Sequence, residues 1–131
     1  MLSEPGYGWV SFTIQDFIFG ASYLTDVPQD FTDAFIYGLH HGTCSVMMEG
    51  ECNGDCLFVM DAFDCYTIQN KSDNDNLDNN IVVKRFEISI KDLAKEFVSD
   101  IERYEEAWAN WQFWEEPSLP YNLNKLRELL Q

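Results

Sequence analysis

Positive charge is what this chain has least of. Eight Lys and Arg stand against 23 Asp and Glu among 131 residues, a formal net charge of −15. That deficit argues against DNA, RNA and anionic lipid as partners, because binding them depends on Lys and Arg neutralising phosphates. No local patch compensates, since the basic residues are scattered and Lys84-Arg85 is the only adjacent pair. A basic protein is the partner this field favours, because it would be steered in at long range. The plainer reading of such acidity is solubility alone.

Long apolar runs are also missing. No stretch approaches the roughly 18 residues of a membrane span, so no membrane role is expected. The start, Met1-Leu2-Ser3-Glu4-Pro5-Gly6, lacks a basic region followed by an apolar run, and a cytosolic, cytoplasmic location is the expectation. There the four cysteines read as reduced thiols. Cys44, Cys52, Cys56 and Cys65 are separated by seven, three and eight residues, so no CxxC knuckle exists. With His40 and His41 they could still make a small metal-dependent protein, a third reading. The plainer account is that Cys44 and Cys56 sit at inward strand positions as small hydrophobes, and that both histidines complement a helix C-terminus.

Catalytic motifs are absent as well. There is no Gly-x-Ser-x-Gly elbow and no phosphate-binding loop. Asp73, Asp75 and Asp78 imitate a calcium loop, but Asp78 stands where Gly belongs and Lys84 where the bidentate Glu belongs. Neither a catalytic residue, a resident metal nor a cofactor is expected, and the chain reads as a non-enzyme.

What is present is enough for a core. Hydrophobic residues make up 46% and aromatics 15% of the chain, too apolar for disorder, and the length is that of one domain spanning 1–131. Trp9 to Phe17 alternates as a strand, and Gly20-Ala21-Ser22 breaks it. Asp26 and Pro28 open a helix whose apolar face is Phe31, Ala34, Phe35, Gly38 and Leu39, and Gly42 closes it. Cys44, Val46 and Met48 mark a second strand. Cys56 to Phe63, apolar on both sides, is a third and central one. Residues 70–80 read as a polar loop, and Ile81 to Ile88 as a fourth strand with Val82, Phe86 and Ile88 inward. Ser89 begins a long amphipathic helix over about 90–111, with Leu93, Phe97, Ile101, Tyr104, Trp108 and Trp111 on one stripe. Asn122 caps a short last helix with Leu126, Leu129 and Leu130 inward. The fold class is therefore α+β, an antiparallel sheet of about four strands with helices packed on one face.

Two surfaces suit a partner. One is the acidic cluster around the middle hairpin, Glu49, Glu51, Asp55, Asp61 and Asp64. The other is the outer side of the long helix, where Glu102 and Glu106 lie four apart and Phe113, Trp114, Glu115 and Glu116 follow. Aromatics supply binding energy and carboxylates raise the on-rate. The plainer reading puts Phe113 and Trp114 in the core and leaves the charges as a wet face.

Gly8-Trp9-Val10-Ser11-Phe12-Thr13-Ile14, then Ala21-Ser22-Tyr23-Leu24-Thr25-Asp26-Val27-Pro28 opening a helix, then Glu49-Gly50-Glu51 before a strand, resembles small bacterial immunity proteins of polymorphic and contact-dependent inhibition toxin systems. The resemblance covers roughly residues 8–64. It implies a cytosolic, non-enzymatic antitoxin that binds its cognate toxin domain and occludes the active site, possessing no catalytic residues to carry across. A nuclease target would offer a basic cleft, in which the carboxylates of Glu49, Glu51, Asp61 and Asp64, or of Glu102, Glu106, Glu115 and Glu116, stand in for phosphates, with Phe113 and Trp114 as anchors. The rival expectation is an acidic adaptor or homodimeric structural protein.

Overall fold

In the computed structural model, residues 1–51, 54–70, 81–111 and 118–131 are described. Period-two alternation places six strands among them: β1 (Trp9–Ile14), β2 (Phe17–Ser22), β3 (Thr43–Glu49), β4 (Asp55–Asp61), β5 (Cys65–Asn70) and β6 (Ile81–Phe86). Four helices accompany them: α1 (Val27–His41), α2 (Ile90–Arg103), α3 (Glu105–Ala109) and α4 (Leu123–Leu129). The strands form an antiparallel hairpin, β1–β2, and a separate four-stranded antiparallel sheet in the order β3-β4-β5-β6. The fold is mixed α+β, with the helices packed against the sheet.

Two strands escaped the sequence pattern. The expected single strand Trp9–Phe17 instead turns at Gln15, whose φ of +51° is turn geometry, and returns as β2. Gly20, read as a breaker, lies inside β2 opposite Ser11. The expected third strand, Cys56–Phe63, ends at Asp61. The Asp61 carboxylate accepts the Phe63 and Asp64 backbone N–H groups at 2.8 and 2.7 Å, a side-chain-stabilised turn. Phe63 projects into solvent there, and the chain returns as β5. β4 is nevertheless interior to the sheet, as its two apolar sides suggest.

The helix starts behave as their residues dictate. Asp26 accepts the Gln29 N–H, Pro28 lies in the first turn, and Gly42 closes α1 in the left-handed region at φ +88°. Ser89 accepts the Asp92 N–H at 3.1 Å to start α2. Gly38 allows α1 to press on β3, because a Cβ there would lie 2.6 Å from the Cys44 Sγ. The expected helix over 90–111 is interrupted at Tyr104, with φ −122° and ψ +40°. Its apolar stripe survives the break: Leu93, Phe97, Ile101, Trp108 and Trp111 are all buried. Asn122 precedes α4 without capping it by its side chain. Its amide instead bridges to α1, donating to Asp33 at 2.7 Å and accepting from Gln29 at 2.9 Å. In α4 it is Leu123 and Leu126 that are buried, and Leu129 is exposed.

The core is aromatic at its centre. Phe12 of the hairpin meets Phe58 of β4 edge-on at 4.9 Å and stacks on Phe31 of α1 at 5.8 Å. Phe31 and Phe35 in turn meet Phe97 of α2 at 5.8 and 5.4 Å. Hairpin, α1 and α2 therefore close over one face of the four-stranded sheet, and among the described residues no helix or strand covers the other face. Among the described residues, no helix is long and apolar enough to cross a membrane.

Candidate protein-binding face

Strand register decides which side chains share the uncovered face. Met47 pairs with Leu57, Leu57 with Ile68, and Ile68 with Val83, so these four lie in one row across all four strands. Val59 and Tyr66 pair in the next bonded row. Every strand thus offers apolar surface outward. Met47 is 48% exposed and Val83 59%, while Leu57, Val59, Tyr66 and Ile68 are half-buried against one another. A contiguous apolar patch of this kind on a charged protein makes this face the candidate interaction surface.

Acid closes both ends of the patch. Glu49 and Asp55 face each other across β3 and β4 at one end, and Asp61 and Asp64 meet at the β4–β5 turn at the other. At about 3.3 Å per residue, six residues of β4 hold the two ends about 20 Å apart. The Glu49 carboxyl is pushed above its ordinary range, first by burial and then by its hydrogen bond to Asp55. Asp61 is held below its ordinary value by the two backbone N–H groups it accepts. Asp64 receives the Arg85 guanidinium at 3.0 Å, so one cation on this face is already engaged. Glu51 is exposed at the hairpin tip with a φ of +55°. The sequence cluster Glu49, Glu51, Asp61 and Asp64 is therefore split by the strand length into two groups flanking an apolar centre.

The helical cluster is placed differently. Glu102 lies in the last turn of α2 and is bonded by Arg127 of α4 at 2.9 Å. Glu106 lies in α3, beyond the break at Tyr104, so the two do not share one continuous helix. Both are exposed. Phe113, Trp114, Glu115 and Glu116 lie outside the described residues.

The cysteines behave as apolar core. Cys56 and Cys65 are buried and Cys44 half-buried, all three free, and burial raises their thiols to about 12, 12 and 11 respectively. Such thiols stay protonated and are poor nucleophiles or ligands. Cys52 lies outside the described residues. Among the described residues, no group of three His, Cys, Asp or Glu is arranged to hold a metal. The His40 Nδ1–H donates to the Ile36 carbonyl, 2.7 Å away, and His41 lies against Tyr37.

Tyr66 and Ile68 are the residues sequence reading missed. Their signal was present: Cys65, Thr67 and Gln69 alternate with Tyr66 and Ile68, all strand formers or neutral. It was obscured because the Asp61–Asp64 turn carries no Gly or Pro. No protein-family model, curated protein or solved structure matches the chain.

Proposed function

We propose that this chain is a non-enzymatic inhibitor that binds a basic protein through the open face of its sheet, and that the partner is a bacterial toxin domain. One observation carries the binding part: a half-exposed apolar patch, with Met47, Leu57, Ile68 and Val83 in one row across the four strands, flanked by carboxylates at both ends of β4. The toxin part rests on the motif resemblance over residues 8–64. Leu57, Val59 and Ile68 act as apolar anchors, while Glu49, Asp55 and Asp61 steer a cationic cleft and substitute for the phosphates of a nucleic-acid substrate. Inhibition follows from occlusion and needs no bond to be made or broken.

The same face could join two copies of the chain, as the adaptor or homodimer reading requires. Charge weighs against that, because two molecules of net charge −15 repel. A basic partner turns the same charge into attraction. In the cytoplasm such an inhibitor would meet an incoming toxin where the toxin acts.

Co-expression with the product of the adjacent gene tests the proposal. Cells that survive only when this chain is present, with the two proteins co-purifying one to one, are the expected result. Affinity should fall on adding salt, mainly through the on-rate, and Leu57→Arg should abolish co-purification while leaving a folded protein. Co-purification unaffected by Leu57→Arg would remove the open face from the reading, and no protection in cells would remove the toxin.

A further inference from the structure

The edge of the sheet next to α1 is built differently from its open face. β3 is an edge strand. The Gly50 N–H donates to the Gly54 carbonyl at 2.8 Å, the first rung of the β3–β4 ladder. Rungs recur at every second residue of an antiparallel pair, so Met48, Val46 and Cys44 bond to β4. The Asp61 N–H bonds to the Asp64 carbonyl at 2.8 Å, which by the same alternation turns Val59 and Leu57 toward β5. The backbone groups of Thr43, Ser45 and Met47 are therefore aimed away from the sheet. Among the described residues nothing bonds them.

Those groups open into a groove of about 800 Å³ between β3 and α1. The far wall is one helical stripe, Asp30, Asp33, Ala34 and Tyr37, whose spacing of three and four residues puts all four on one side of α1. The floor toward the open face is Leu57 and Val59. Natural proteins usually blunt a free edge with a bulge, a proline or a lysine. β3 carries none of these.

We infer that this groove takes an extended, lysine- or arginine-bearing segment of the partner, which pairs with Thr43–Met47 as a fifth strand and sets its cationic side chains against Asp30 and Asp33. The inference rests on the reading of the chain as a binder of a basic protein and adds the form of the contact. An added strand has two sides. One continues the open face beside Met47 and suits apolar side chains. The other faces α1 and suits cations, because the acids there have no counter-charge among the described residues. Among the described residues Asp33 is held only by the neutral amides of Gln29 and Asn122, at 3.0 and 2.7 Å. Asp30 has no ion-pair partner among the described residues. Its carboxyl is pushed up to about 6, first by burial and then by Asp26 and Asp33, so an incoming cation relieves a repulsion already present. Main-chain pairing supplies affinity and the alternating side chains supply selectivity.

The probe is a capped heptapeptide of alternating lysine and valine, titrated into the full chain and followed by backbone amide NMR shifts and hydrogen exchange. Slowed exchange at the Ser45 and Met47 amides is expected, with no binding by the glutamate–valine counterpart or by a peptide N-methylated on its pairing edge. Ser45→Pro removes an N–H that the fold does not use, a change edge strands tolerate, and should weaken binding about tenfold. Asp30→Asn should weaken it about threefold. If Ser45→Pro does not fold, the N-methylated peptide decides alone. No binding at millimolar peptide, equal binding by the N-methylated peptide, or shifts confined to Ile68 and Val83 would overturn the inference. The two proposals fail separately. A toxin that co-purifies equally with Ser45→Pro sinks the groove and spares the inhibitor, whereas peptide pairing at β3 without protection in cells does the reverse.

Discussion

The two faces of the four-stranded sheet are made from the same residue types and have opposite fates. On the inner face Met48, Cys56, Phe58 and Met60 are wholly buried, while on the outer face Met47, Ile81 and Val83 keep 48–60% of their surface in water. Burying a Val, Leu or Met side chain stabilises a fold by about 1.5–3 kcal/mol. The inner face collects that gain within the chain, from the hairpin, α1 and α2. Among the described residues the outer face collects less of it, because no element packs over that side. Apolar character on both sides of β4 thus states a need for cover and does not say who supplies it.

Substitutions should separate the faces. Phe58→Ala empties the meeting point of Phe12 and Phe31 and should cost about 3–5 kcal/mol in denaturant unfolding. Its neighbour Leu57→Ala should cost under about 1.5 kcal/mol yet weaken the complex. Equal losses of stability would erase the distinction between the faces. Gly38→Ala probes the cover itself: a methyl 2.6 Å from the Cys44 Sγ and 3.2 Å from the Ile90 Cδ1 should lower the unfolding free energy by about 1–3 kcal/mol. Thr67 sits on the inner face, wholly buried, and its hydroxyl bonds to no described residue. Thr67→Val should therefore raise stability by about 1 kcal/mol, a gain that Ser45→Val on the outer edge would not give.

The smallest effect is in pH. Asp30 titrates near 6 when folded against 3.8 as a free group. The folded state therefore prefers the protonated carboxyl. The stability this confers is fully present below pH 3.8 and is lost as pH rises through about 6. Because the group is half in solvent, the change between pH 5 and pH 7 should be under about 1 kcal/mol. Asp30→Asn should flatten it in urea titrations at the two pH values.

Particular elements show how far the sequence could be read. α1 was legible from end to end, because Asp26, Pro28 and Gly42 act locally on their own backbone. β3 and β6 were legible from alternation, and so were the start of α2 at Ser89 and its buried stripe. The break at Tyr104 was not, because the stripe has the same spacing with or without it and no Gly or Pro marks the position. β2 and β5 were hidden by turns at Gln15 and Asp61 that use a positive φ and a side-chain carboxylate in place of Gly or Pro. The acidic residues of the middle hairpin could be named in advance. Their division into two groups, and the apolar row between them, could not.

Composition and local pattern by themselves determined the acidity, the α+β class, the starts of α1, α2 and α4 and most of the inward residues, since each depends on nearest neighbours along the chain. Tertiary structure alone decided which of two apolar sheet faces is covered, which strand is left at the edge, and that Asp30 and Asp33 stand opposite its free amides. Those outcomes depend on which elements meet across long sequence separations, and a side chain carries no local mark of what will pack against it.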